Sequence, residues 1–127
     1  MADNSTETQK KGFLRLRSAN HNEDTCNNIT DDYRNEKFTD FVFICGDDAT
    51  EVIKAHRLIL SKASDYFKKV IETSTKLSFG YPIIPMIALK EVPQNDLRSI
   101  VDFIYEGKIT IPKKQLSSVV KTAQFLQ

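Results

Sequence analysis

The chain has no tryptophan, two cysteines and almost no excess of either charge. Each shortage excludes something. Two cysteines cannot build a disulfide framework. Cys45 closes an apolar run and behaves as a small buried hydrophobe, and Cys26 lies in a polar segment, so no bridge is expected between them. A net charge of +1 gives the whole chain no bias toward nucleic acid or a membrane surface. No apolar run reaches the roughly 18 residues a membrane helix needs. The N-terminus is polar and mixed in charge, unlike a secretory signal. Asn4-Ser5-Thr6 and Asn28-Ile29-Thr30 are then chance matches to the glycosylation pattern, and the expected compartment is cytosol or nucleus. Phosphate loop, nucleophile motif and metal-ligand spacing are all missing. The expectation is therefore no catalytic residues, no metal, no cofactor and no enzyme. What remains is a chain of 127 residues, 40% of them hydrophobic, enough for one domain with a real core.

That core is organised around residues 38–67. Asp40 to Cys45 carries Phe41, Val42, Phe43 and Ile44, a run that suits a strand buried on both faces. Gly46-Asp47-Asp48 is a turn cluster, and Thr50 to Lys54 alternates around Val52 and Ile53, completing a hairpin. From Leu58 the period changes. Leu58, Leu60, Ala63, Phe67, Val70 and Ile71 form a helical stripe over one or two short helices, with Ser64 as a cap and Asp65 in the first turn after it.

Around this centre, Met1 to Gly12 has almost no apolar content and reads as a disordered lead. Phe13 to Arg17 alternates, opposing Leu14 and Leu16 to Arg15 and Arg17. It reads as a strand with no turn joining it to a local partner. Asn20 to Glu36 carries a narrow helical stripe of Cys26, Ile29 and Tyr33 among poor helix formers. Thr73 to Pro82 reads as a loop. Ile83 to Leu89 is β-rich, but Pro85 demands an edge, a bulge or a strand that starts after it. Leu97, Ile100, Val101 and Ile104 mark a helix over about 94–106, with Gly107 at its C-terminal cap position. Lys108 to Ile111 alternates as a short strand. Pro112 can open a last helix with Leu116, Val119, Val120, Ala123 and Leu126 facing inward.

Phe38-Thr-Asp-Phe-Val-Phe43, with Ile53-Lys-Ala-His-Arg-Leu-Ile-Leu-Ser-Lys-Ala-Ser-Asp-Tyr-Phe67, resembles the BTB/POZ signature. The second half agrees: Ile87 to Pro93 precedes a helix ending Val101-Asp-Phe-Ile-Tyr-Glu-Gly107. Leu14-Arg-Leu-Arg-Ser-Ala-Asn-His21 is similar to the opening of the insect tramtrack-type group, with Ser18 in place of that group's tryptophan. The resemblance spans about residues 13–127. It implies an α+β fold: a small sheet, hairpin plus third strand, flanked by about five to six helices, with the C-terminal helices truncated.

The resemblance also implies a function. The domain would be a protein–protein interaction module driving homodimers or larger oligomers of a nuclear transcription or chromatin regulator, without touching DNA or membrane itself. Its partners would be further copies, other BTB proteins or corepressors. The alternative role in the family is substrate adaptor of a cullin-type ubiquitin ligase. The implied dimer interface is Phe13, Leu14, Leu16, Ile29, Tyr33, Lys108, Ile109 and Ile111. The strand at 13–17 would cross to pair with residues 108–111 of a second copy; the alternatives are that it folds back on its own domain or is disordered. Asp40 and Arg57 match a charged pocket linked with corepressor binding, or else form an internal ion pair that orients the helix. His56 reads as a junction histidine hydrogen-bonded to backbone rather than a ligand. Tyr66, Phe67 and Tyr105 read as core aromatics, and Lys68-Lys69 as a solvated face.

Overall fold

Phe41, Phe43 and Cys45 turn one face of a strand wholly into the interior, and the hydrophobic core is built against it. The computed structural model describes residues 4–10, 12–45, 52–81 and 84–127, and of residues 4–10 only the backbone. The elements are β1 (Asn4–Lys10), β2 (Phe13–Ser18), α1 (His21–Arg34), β3 (Phe41–Cys45), β4 (Val52–Ala55), α2 (Arg57–Ala63), α3 (Asp65–Leu77), β5 (Met86–Leu89), α4 (Gln94–Glu106), a 3-10 turn (Lys113–Gln115) and α5 (Leu116–Phe125). This is the mixed α+β arrangement expected.

The main sheet has the order β4-β3-β5. β3 and β4 are antiparallel, with Phe41 opposite Ala55 and Phe43 opposite Ile53. The expected turn at Gly46-Asp47-Asp48 lies outside the described residues. β5 joins β3 in parallel, with Val42 opposite Met86 and Cys45 opposite Leu89, and α2 and α3 make the crossover that a parallel pair requires. β5 begins after Pro85, whose carbonyl accepts from the Val42 N–H at 3.0 Å. The proline thus supplies the acceptor it still has at the edge of the ladder.

Phe41, Phe43, Phe67, Ile53, Leu60, Leu97 and Val101 are the largest fully buried side chains among the described residues. Phe43 lies 4.8 Å from Phe41 and 5.3 Å from Phe67 between ring centres, the second pair edge-on. The stripe beginning at Leu58 is not continuous. Ser64 is extended, breaks the run into two helices, and leaves Leu58 and Ala63 exposed while Leu60 and Phe67 turn inward. Its hydroxyl oxygen accepts the Phe67 N–H at 3.2 Å, the expected cap, and donates to the Leu126 carbonyl at 2.6 Å. α4 spans the expected residues and stops at Gly107, which adopts φ 76°, a left-handed cap that suits glycine.

Four expectations are corrected. Residues 4–10, expected as part of a disordered lead, form β1, and β1 pairs antiparallel with β2; so the strand at 13–17 does have a local partner. The loop expected from Thr73 is helix as far as Leu77. Residues 108–111, expected as a short strand, form no regular element and make no ladder with any described residue. In α5, Val119 and Leu126 are buried as expected, but Leu116, Val120 and Ala123 are exposed and Thr122 is buried instead. The cause is Asp96, only 2% exposed in the first turn of α4. Its carboxylate accepts from Gln115 Nε2 at 3.0 Å and from the Ser118 hydroxyl. A buried carboxylate must be satisfied, so α5 turns its Gln115–Ser118 side to α4 and its larger apolar stripe outward.

Candidate functional site

The implied interface residues fall into three groups. The first is on β2. Phe13 is 76% exposed, Leu14 62% and Leu16 67%. Alternation puts Leu14 and Leu16 on one face and Phe13, Arg15 and Arg17 on the other. β1 lies beside the strand edge-on and covers neither face; Leu16 stands opposite Thr6, and Leu14 opposite Gln9.

The second group is residues 108–111. Ile109 and Ile111 are half-buried, and Lys108 and Thr110 are exposed, so the segment keeps a strand's alternation. None of its backbone groups bonds to the backbone of another described residue. Ser99, Asp102 and Glu106 of α4 border it in a shallow cavity of about 230 Å³.

The third group, Ile29 and Tyr33 on α1, sits elsewhere. Tyr33 is 3% exposed, and Ile29 packs against the same core. The Tyr33 ring stacks on Tyr105, with centres 4.1 Å apart and planes 7° from parallel. Its hydroxyl donates to Asp102 Oδ1 at 2.6 Å and accepts from Arg98 Nη1 at 3.2 Å. Burial, then the Asp102 hydrogen bond, holds this phenol well above the ordinary tyrosine range. The apolar stripe of α1 is narrow, and α4 of the same chain takes it. Tyr33 is thus buried within its own chain, and the ion pair between Arg34 and Glu106 fastens the same contact at its rim.

His56 takes the junction role. The Tyr105 hydroxyl accepts the His56 backbone N–H at 2.8 Å and lies 2.7 Å from Nδ1, while Nε2 is 2.8 Å from the Lys37 carbonyl. A carbonyl can only accept, so Nε2 carries the proton and Nδ1 accepts from the tyrosine. Burial pushes the Tyr105 phenol up to about 12. Tyr105 and Phe67 are buried, Tyr66 is half-buried, and Lys68 and Lys69 are exposed. Cys26 is exposed and Cys45 buried, both free thiols, and burial pushes the Cys45 thiol up.

Asp40 and Arg57 meet. Asp40 Oδ1 accepts the Arg57 backbone N–H at 2.7 Å, and Oδ2 accepts from Nε at 3.0 Å. The carboxylate therefore satisfies a free N–H at the start of α2 as well as the guanidinium. The side chains remain 40% and 37% exposed, so water screens the charge pair and the capping bond matters more. The pair also lines a groove of about 350 Å³ with Ser74, Thr75, Tyr81 and Ile84. One pair thus orients the helix and borders an opening.

The sequence reading missed a second groove, about 640 Å³, between Tyr66, Leu89, Val92, Lys121 and Phe125. Phe125 was the available signal, an aromatic that the stripe of α5 leaves out. Phe38, the first residue of the signature, is a bulky residue at φ 60° and 83% exposed. Among the described residues no group of three His, Cys, Asp or Glu side chains is placed to hold a metal ion, and no helix is long and apolar enough to cross a membrane.

Comparison with known proteins agrees with the geometry. The BTB/POZ domain family matches residues 30–127. The Broad-complex core protein of Drosophila melanogaster is 37% identical over 100 residues, covering 79% of this chain and 12% of that protein. The Drosophila sex determination protein fruitless is 33% identical over 112 residues, covering 88% of this chain and 11% of that protein. The chain thus spans about an eighth or less of these relatives. It covers 68% of the Drosophila longitudinals lacking protein-like, at 35% identity over 95 residues. The solved BTB domain of zebrafish PATZ1 superposes with a TM-score of 0.70 over 87% of this chain and 83% of that one, at 21% identity, a likeness of fold. By signature, architecture and these matches, the chain belongs to the BTB/POZ family.

Proposed function

We propose that this domain holds copies of its chain together by exchanging β2, and that it does so within a nuclear transcription or chromatin regulator. One observation carries the reading: the chain contains two strand-like segments that its own fold leaves incomplete. β2 exposes Phe13, Leu14 and Leu16, and residues 108–111 alternate without a ladder partner among the described residues. An amphipathic strand and an unpaired edge are complementary, and strand addition from a second copy would satisfy both. The interface residues are then Phe13, Leu14, Leu16, Lys108, Ile109 and Ile111. Asp40 and Arg57 border the groove where a corepressor would enter. BTB domains generally self-associate, and the kinship with the Broad-complex, fruitless and tramtrack proteins supports the nuclear setting. The role follows as avidity: joining chains raises the effective concentration of whatever binding units they carry.

The test is mass in solution by sedimentation or light scattering. The full chain should form dimers or larger species, and the chain lacking residues 1–19 should lose them. An unchanged oligomer after truncation would rule β2 out as the link.

A further inference from the structure

A β-strand has two edges, and its backbone groups point alternately to one and the other. On β2 one edge is taken. β1 lies along it from Asn4 opposite Ser18 to Lys10 opposite Phe13. The ladder is not regular: Thr6 faces Leu16 and Gln9 faces Leu14, so Glu7 and Thr8 together oppose Arg15. Two residues against one is a β-bulge. β1 reads Asn-Ser-Thr-Glu-Thr-Gln-Lys, without an apolar residue and with a charge at positions 7 and 10. Bulges and charged residues in an outer strand are the devices that keep an edge from recruiting another chain. The hairpin thus presents two unlike sides, a blunted one along β1 and an open one along β2.

We infer that β1 is a stop strand: it covers one edge of β2 so that a second copy adds only at the other. Self-association then closes on itself. With both edges of β2 open, copies could add on either side, and a contact of that kind propagates instead of closing. The inference rests on the reading that β2 links the copies, and it assigns residues 4–10 the task of limiting that link.

Two variants test it by sedimentation over a range of concentrations. One lacks residues 1–11. The other, Thr6→Pro, removes a backbone donor from β1 without shortening the chain. The full chain should reach a plateau in mass. Both variants should pass that plateau by about twofold or more and keep rising with concentration, as open addition requires. A plateau identical to that of the full chain in both variants overturns the stop strand, and so does a fall to smaller species, which would make β1 part of the link. The chain lacking residues 1–19 separates the two ideas. If its mass equals that of the full chain, the linking role of β2 fails. If it dissociates while the shorter truncation stays at the plateau, only the stop strand fails.

Discussion

β3 and β2 are both short strands rich in apolar residues, and they end in opposite situations. β3 has a neighbour on each edge, and Phe41, Phe43 and Cys45 are buried. β2 has β1 on one edge, nothing described on the other, and every large apolar side chain exposed. Local sequence writes a strand in each case. What differs is the company: α2, α3 and α4 close over β3, and among the described residues no element closes over β2. The lesson is that alternation specifies the strand, whereas the elements that return to it decide whether it becomes core or interface.

The sharpest way to strain this contrast is to truncate one side chain of the core strand. Phe43→Ala should cost about 3–5 kcal/mol in denaturant unfolding, because it empties the space among Phe41, Phe67 and Ile53. A loss below about 1 kcal/mol would put β3 in the same class as β2. Next comes Asp96→Ala, which removes the acceptor of Gln115 and Ser118 and should cost about 1–3 kcal/mol. The same variant should loosen α5, seen as faster amide exchange over residues 116–125. If α5 exchange is unaltered, another contact sets the orientation of that helix.

A smaller effect, confined to alkaline solution, comes from Tyr105. An unfolded tyrosine ionises near 10.0, and Tyr105 in the fold keeps its proton to about 12. Between those values the unfolded chain has lost a proton that the folded chain retains. Stability should therefore be unaffected by this group below the lower value and should fall as pH rises toward the upper one. Urea midpoints followed upward from neutral pH check it, and Tyr105→Phe should flatten that part of the fall. The smallest expected change in stability is at β2. Leu14→Asp with Leu16→Asp should shift unfolding by less than about 0.5 kcal/mol at dilutions where copies are apart, since both residues are exposed. The same pair should abolish assembly. A large loss of stability in the dissociated chain would mean that β2 is packed on its own body.

Much of the fold was legible in the residues. α4 could be read to its ends because apolar spacing, Pro93 and Gly107 all speak locally. Ser64 could be read as a cap and Pro85 as the limit of β5 for the same reason. Misreadings arose where a distant group decides. The face of α5 is set by Asp96, a residue that no apolar period reveals. The stripe of α1 was visible, but the residue it packs on was not: Tyr33 stacks on Tyr105, far along the chain. β1 has no apolar alternation at all, and its pairing depends on the neighbouring β2. Of the candidate site, Asp40 with Arg57 and the apolar residues of β2 were identified from sequence. The grooves beside Tyr81 and Phe125 were not, since an opening belongs to several elements at once.

Strand exchange joins copies through backbone pairing, so backbone amides report on it most directly. Hydrogen exchange at residues 108–111 should be fast in dilute chain, where these amides make no ladder, and should slow together with residues 13–18 as concentration drives assembly. If the mass doubles while residues 108–111 continue to exchange at the dilute rate, the copies are joined by some other surface and strand exchange is not the link.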